Sequence, residues 1–266
     1  MDKEHIKKLA QKKHFIAGIY NYCDRWCERC PLTSRCMNFE INNEQFAKPE
    51  TLDINNKAFW QKLSETFQMT LDMLKETAEL EGIDLDSFDT DETEALERLT
   101  LEVAENHECS RAAKLYSELV DDWFDSARDL FEQEADEMNQ NKWLEIPNEN
   151  LVGRNDSFED ALQVIRWYQH QIHVKLLRAI HGYREEKPDV SSEFLNDVDG
   201  SAKIALIGID RSIAAWGEIR NNFPLYDASL LKLLVHLEQL RRSVEKTFPS
   251  ARAFIRPGFD KIDLNS

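Results

Sequence analysis

The chain has 266 residues, with 33 Lys and Arg against 50 Asp and Glu, for a net charge of −17. That length can bury a sizeable core, and eight Gly with seven Pro are too few turns for a many-stranded β protein. The acidity is concentrated: residues 51–150 carry 27 acidic against eight basic side chains, while both flanking segments are near balance. A field of that sign repels phosphate backbones and anionic lipid, so neither nucleic acid nor a membrane surface is expected as a main partner.

In chain order, residues 3–20 read as a first short helix with no apolar signal or membrane-spanning run, so a cytoplasmic location is expected. Thiols stay reduced there, and five cysteines do not suggest a disulfide framework. Residues 21–40 are a cysteine-rich loop or broken helix, and "NFEINNEQFAKPETLDINN" reads as a connector. From Lys57 to about Glu81, Trp60, Leu63, Phe67, Leu71 and Leu74 recur at three and four, which predicts an amphipathic helix.

"EGIDLDSFDTD" superficially resembles a calcium loop. Asp89 stands where that loop needs Gly, and Ala95 where it needs a bidentate Glu, so the better reading is a turn in which Asp91 caps the next helix, with Glu94 completing the box. A helical pattern then runs from Asp91 to about Asn139, long enough to predict a kink or break. Ser157 and Asp160 suggest a cap for a helix reaching about Glu186. Ala202–Arg220 and Ala228–Thr247 complete the helices, and the tail from Phe248 reads as irregular. The expectation is an all-α bundle of about five main helices (51–266), compact with an N-terminal four-cysteine metal-binding segment (1–50).

The chemistry concentrates in "YNYCDRWCERCPLTSRCMNFE". Cys23, Cys27, Cys30 and Cys36 put four thiols within 14 residues, against one, Cys109, elsewhere. Thiolates are soft ligands, suited to zinc or iron–sulfur clusters. Structural zinc usually takes two C-x2-C pairs separated by a longer span, whereas iron–sulfur ligands more often lie in one compact run. In a helical segment Cys23 and Cys27 share a face, with Cys30 on the next turn. Arg25, Arg29 and Arg35 can offset the charge of four thiolates.

The first three cysteines resemble the C-x3-C-x2-C motif of radical SAM enzymes over about eight residues. That family carries an aromatic residue before the third cysteine, where Arg29 stands here, and folds as a β/α barrel, for which this chain lacks the alternation. Its cluster also leaves one iron open, which Cys36 is placed to close.

A carboxylate di-iron bundle needs Glu-x-x-His on two helices, and the helical region has none. His170, His173 and His181 fall within about 80° on one helix face. They are read as a solvent-facing stripe or, with His107, Asp210 and Arg211, as a polar pocket. Ala202–Arg220 is apolar almost all round, which suggests a buried helix whose Arg211 can pair with Glu218. Glu118, Asp122, Asp125, Asp129, Glu132 and Asp136 form an acidic face, either solvated or a dock for a basic protein partner. Two functions remain: an iron–sulfur redox or sensing protein, or a non-enzymatic, zinc-stapled adaptor that binds a partner through its acidic face.

Overall fold

The computed structural model describes residues 3–85, 90–127, 149–184, 192–222 and 227–260, and the statements below concern these. They form an all-α protein without a strand. Its helices are α1 (Lys3–Ala10), α2 (Met37–Gln45), α3 (Pro49–Leu52), α4 (Lys57–Glu81), α5 (Thr90–Glu105), α6 (Glu108–Ser126), α7 (Glu149–Arg184), α8 (Ser192–Asn222) and α9 (Asp227–Thr247). By contact the chain divides into two compact units, residues 1–98 with 255–266, and residues 99–254.

The second unit is the helical bundle. Its helices α6 to α9 pack in a ring, α6 on α7, α7 on α8, α8 on α9 and α9 back on α6. Apolar residues at helical spacing fill the middle: Tyr116 and Val120 from α6, Ile165 and Ile172 from α7, Ile209 and Trp216 from α8, all buried. The Trp216 indole N–H donates to the Tyr116 hydroxyl at 3.0 Å, so these two fully buried polar-tipped side chains satisfy each other. Burial pushes the Tyr116 phenol up to about 12. Trp123 stands edge-on to Trp216 at 4.8 Å between ring centres. The Ala202–Arg220 stretch is the buried helix its composition suggests, with Ala202, Ile204, Leu206, Ile209, Trp216 and Ile219 in the core.

Several boundaries differ from the sequence reading. The long pattern after Asp91 does break, at Asn106–His107, where the His107 ring accepts the Cys109 N–H at 3.2 Å and caps α6. The Asp91 cap and the stretch from 128 to 148 lie outside the residues or side chains described. Helix α7 starts at Glu149, not at Ser157, whose hydroxyl instead donates to Glu218 at 2.7 Å. Arg211 donates to the Tyr168 hydroxyl on α7. Helix α8 likewise begins ten residues early, at Ser192.

In the first unit, α1 ends at Ala10, and the chain then proceeds through turns to Tyr22. The "connector" after the cysteines holds α2 and α3. Helix α4 spans the predicted residues, capped by Asn56 (side chain to Ala58 N–H, 3.0 Å) and ended at Gly82. Its orientation reverses the amphipathic expectation for four of the five apolar residues that predicted it, Leu63 alone being half-buried. Phe59, Thr66, Met69 and Met73 are half-buried, with Thr66 donating to Gln45 of α2 at 2.9 Å. Trp60, Phe67, Leu71 and Leu74 are exposed. Periodicity located the helix but could not say which of its two partly apolar sides faces the unit. Only Leu9, Ile19 and Ala78 are buried apolar side chains in this unit among the described residues.

Helices α7 and α8 approach closely at Gly208 on α8, where an added Cβ would stand 2.9 Å from the Tyr168 ring and 3.0 Å from Ile172 of α7. Both neighbours are fully buried and have nowhere to move. Gly208→Val is therefore expected to destabilise the protein by about 1–3 kcal/mol, outweighing the helix propensity it gains. Urea titration followed by circular dichroism measures this, and an unchanged midpoint would refute the close approach.

Candidate metal centre

The cysteine segment is a series of tight turns, each with a local cause. Gly18, at φ 71°, opens it, and the Asn21 N–H returns to the Gly18 carbonyl at 3.0 Å. Arg25 adopts φ 58°, the left-handed region an ordinary side chain rarely enters. The Asp24 carboxylate accepts the Trp26 N–H at 3.3 Å across that bend, an Asx-type turn. Cys27–Arg29 is one turn of 3-10 helix, closed by Cys30 N–H to the Cys27 carbonyl at 3.2 Å. Pro31 follows, then a second 3-10 turn, Thr33–Arg35, and Cys36 begins α2 as its N-cap residue. Cys23 and Cys27 thus do not share a helix face; the left-handed bend at Arg25 separates them.

These turns put all four cysteines on the wall of one partly open pocket, whose cavity is about 20 Å³, roughly room for a single water. The rest of the wall is mostly apolar: Ile19, Tyr20, Trp26, Phe39 and Phe259. All four cysteines are half-buried free thiols. Among the described residues, no three or more His, Cys, Asp or Glu side chains converge closely enough to hold a metal ion as they stand. The sulfurs share a pocket without closing on one point.

Electrostatics show the crowding. Burial pushes the Cys27 thiol above its ordinary range, and the neighbouring Cys23, Cys36, Glu28 and Cys30 push the same way. A backbone donor partly answers this: the Leu32 N–H points at Cys30 Sγ from 3.4 Å. Two of the nearby arginines make contacts of their own. Arg29 stacks on Trp26, 3.9 Å from the ring centre, and Arg35 donates to the His14 carbonyl at 3.3 Å.

Sequence reasoning missed one wall altogether. Phe259 comes from the tail that read as irregular. Gly258, at φ 78°, lets that tail lie against Ile16 and Ile19, where a Cβ would come within 2.7 Å and 3.3 Å. Arg256 and Asp260 brace the turn through several hydrogen bonds of 2.9–3.3 Å. The R-P-G-F-D string was the available signal, a Pro-Gly turn flanked by opposite charges.

The other candidate residues have separate engagements. His107 caps α6, and His170 is exposed. His173 is half-buried, with Nδ1 3.1 Å from the Ser110 carbonyl, and His181 is half-buried. Asp210 is clasped by Arg252 at 2.5 Å and Arg241 at 3.5 Å, and Arg211 by Tyr168. Each of these pairings ties bundle elements together. Cys109 is buried, and burial pushes its thiol up, as for a packed structural cysteine. Glu118, Asp122 and Asp125 are exposed, whereas Asp129, Glu132 and Asp136 lie outside the described residues. No described helix is long and apolar enough to cross a membrane.

The raised Cys27 thiol gives a pH prediction. A thiol protonated more firmly in the folded chain stabilises it below the ordinary thiol range, and this contribution is lost as pH rises through the raised value. Any metal must displace that proton, so affinity should rise with pH, about tenfold or more per unit between pH 6.5 and 8.5. Competition with a chelator at several pH values measures it, and a flat profile would contradict ligation by Cys27.

No known protein family, curated protein or solved structure matches this chain.

Proposed function

We propose that the first unit is a metal-binding module in which Cys23, Cys27, Cys30 and Cys36 together hold an iron–sulfur cluster, and that the protein works in electron transfer or redox sensing. The observation carrying this is the set of four free thiols lining one largely apolar pocket. The donors are soft, and the walls of Ile19, Tyr20, Trp26, Phe39 and Phe259 would shield sulfur-bound iron from water. The Leu32 N–H already aimed at Cys30 is the kind of donor that tunes such a site.

The unit's thin core supports the same reading. With so few buried apolar side chains, a unit of this size needs a further source of stability, and a metal centre supplies it directly. A cluster with four protein thiolates exchanges electrons without offering an open position to a substrate. This chain's residues would hold it, exclude water and set its potential.

A second reading is favoured by the backbone between Cys27 and Cys30. A C-x2-C pair in one 3-10 turn, with an N–H directed at the second sulfur, suits a single zinc ion as well. In that case the centre is a staple, and the exposed Glu118, Asp122 and Asp125 face would dock a basic partner.

Metal and sulfide analysis with a visible spectrum, on protein purified without oxygen, separates the two. Iron, acid-labile sulfide and a broad band near roughly 400 nm are expected. One zinc and no visible band would replace the cluster with the staple. Cys36→Ser should lower metal content sharply while Cys109→Ser leaves it unchanged, and equal content in both would end the four-thiolate proposal. Stripping the metal with a chelator should melt the first unit while the α6–α9 bundle keeps its own transition, seen as two steps by calorimetry. A single unshifted transition would show that the centre contributes nothing to folding.

A further inference from the structure

Helix α4 shows its more apolar side to solvent. Trp60, Phe67, Leu71 and Leu74 are 56%, 62%, 51% and 56% exposed. Single exposed apolar residues need no explanation, but an aligned stripe on one helix does.

The stripe has coiled-coil spacing. Trp60, Phe67 and Leu74 recur every seven residues and fill the d positions of a heptad. Ser64, Leu71 and Ala78 fill the a positions between them, with Lys57 and Glu81 extending the a and d series at the two ends. The strongly charged Glu65, Asp72, Glu76 and Glu79 fall on the outer positions b and f. The flanks beside the stripe hold Gln61, Gln68 and Lys75 on one side and Leu63, Thr70 and Thr77 on the other.

We infer that α4 pairs antiparallel with α4 of a second copy of this chain, as a two-stranded coiled coil about a twofold axis. Complementarity selects that occupant. An antiparallel pairing that sets Phe67 beside the other copy's Leu71 also sets Leu74 over Ser64, large against small, and brings Trp60 to the level of Ala78. The same register brings Lys57 of each copy to Glu81 of the other, closing both ends with opposite charges. A parallel pairing would set Lys57 against Lys57 and Trp60 against Trp60.

The flanks are prepared for burial. Thr70 and Thr77 donate to carbonyls of their own helix at 2.9 Å, leaving methyl groups free for the partner. Gln61 and Gln68 donate to Glu65 and Asp72 of their own helix, at 3.3 Å and 2.9 Å. No flanking layer opposes two like charges: Gln61 meets Lys75, Gln68 meets Gln68, and Thr70 meets Thr70. The Trp60 indole is fixed in place by its bond to the Ile54 carbonyl at 2.7 Å. Such a self-complementary patch is what a closed twofold dimer requires.

Sedimentation velocity on the full chain, from about 1 to about 100 μM, tests this. The expected species has twice the 31.1 kDa chain mass. Leu71→Glu and the milder Leu71→Gln, at a solvent-exposed position, should keep the helical circular dichroism. The Glu variant should weaken dimerisation at least about a hundredfold, and the Gln variant less. Lys57→Glu should weaken it about tenfold, and adding Glu81→Lys to the same chain should restore it, because the swap rebuilds both end pairs. A monomer at every concentration, or a dimer indifferent to Leu71→Glu, overturns the proposal. Failure of the charge swap to rescue overturns the antiparallel register.

Discussion

The bundle depends on the close approach of α7 and α8 at Gly208. A missing side chain there lets the Tyr168 ring and Ile172 lie against the α8 backbone. With that spacing set, Tyr168 reaches Arg211 one turn along, and Ser157 reaches Glu218 further on. The same two helices present Ile165, Ile172, Ile209 and Trp216 to a shared interior, which α6 closes with Tyr116 and Val120. These polar contacts are satisfied pairs, in a medium where an unpaired donor costs about 1–3 kcal/mol. The candidate histidines belong to this economy. His107 ends one helix and starts the next, and His173 answers a carbonyl of α6.

The first unit solves the folding problem differently. It has almost no sealed apolar interior, and it holds its shape through turns, caps and ion pairs such as Lys3 with Glu76. Exposed ion pairs contribute little net stability. The unit therefore points outward for support, and it carries two features suited to give it. One is a set of four thiols lining a mostly apolar pocket; the other is an exposed heptad stripe on α4. Both would replace missing core with a specific cross-link, one to a metal and one to a second chain.

Arg25 holds a left-handed backbone conformation between two of the thiols. Strain of this kind persists only when its surroundings hold it. Here Asp24 braces the bend from one side, and the 3-10 turn at Cys27 fixes the other. The bend carries Cys23 and Cys27 to the same pocket without a helix between them.

The sequence by itself determined the helical class, α4 and α9 almost to the residue, the break in the long central pattern, and the placing of four cysteines in one short run. These rest on local information: apolar spacing along one helix, and thiols too close in the chain to fold far apart. Only the tertiary structure decided what depends on contact between distant segments. Periodicity could not choose between the two partly apolar sides of α4, because the choice lies with Gln45 and Phe46 more than ten residues upstream. Nor could it find α2, whose asparagines favour turns locally and whose helix starts from the residue, Cys36, that closes the cysteine segment. Phe259 joined the pocket only because Gly258 lets the tail lie against Ile16, a contact across almost the whole chain that no local pattern encodes.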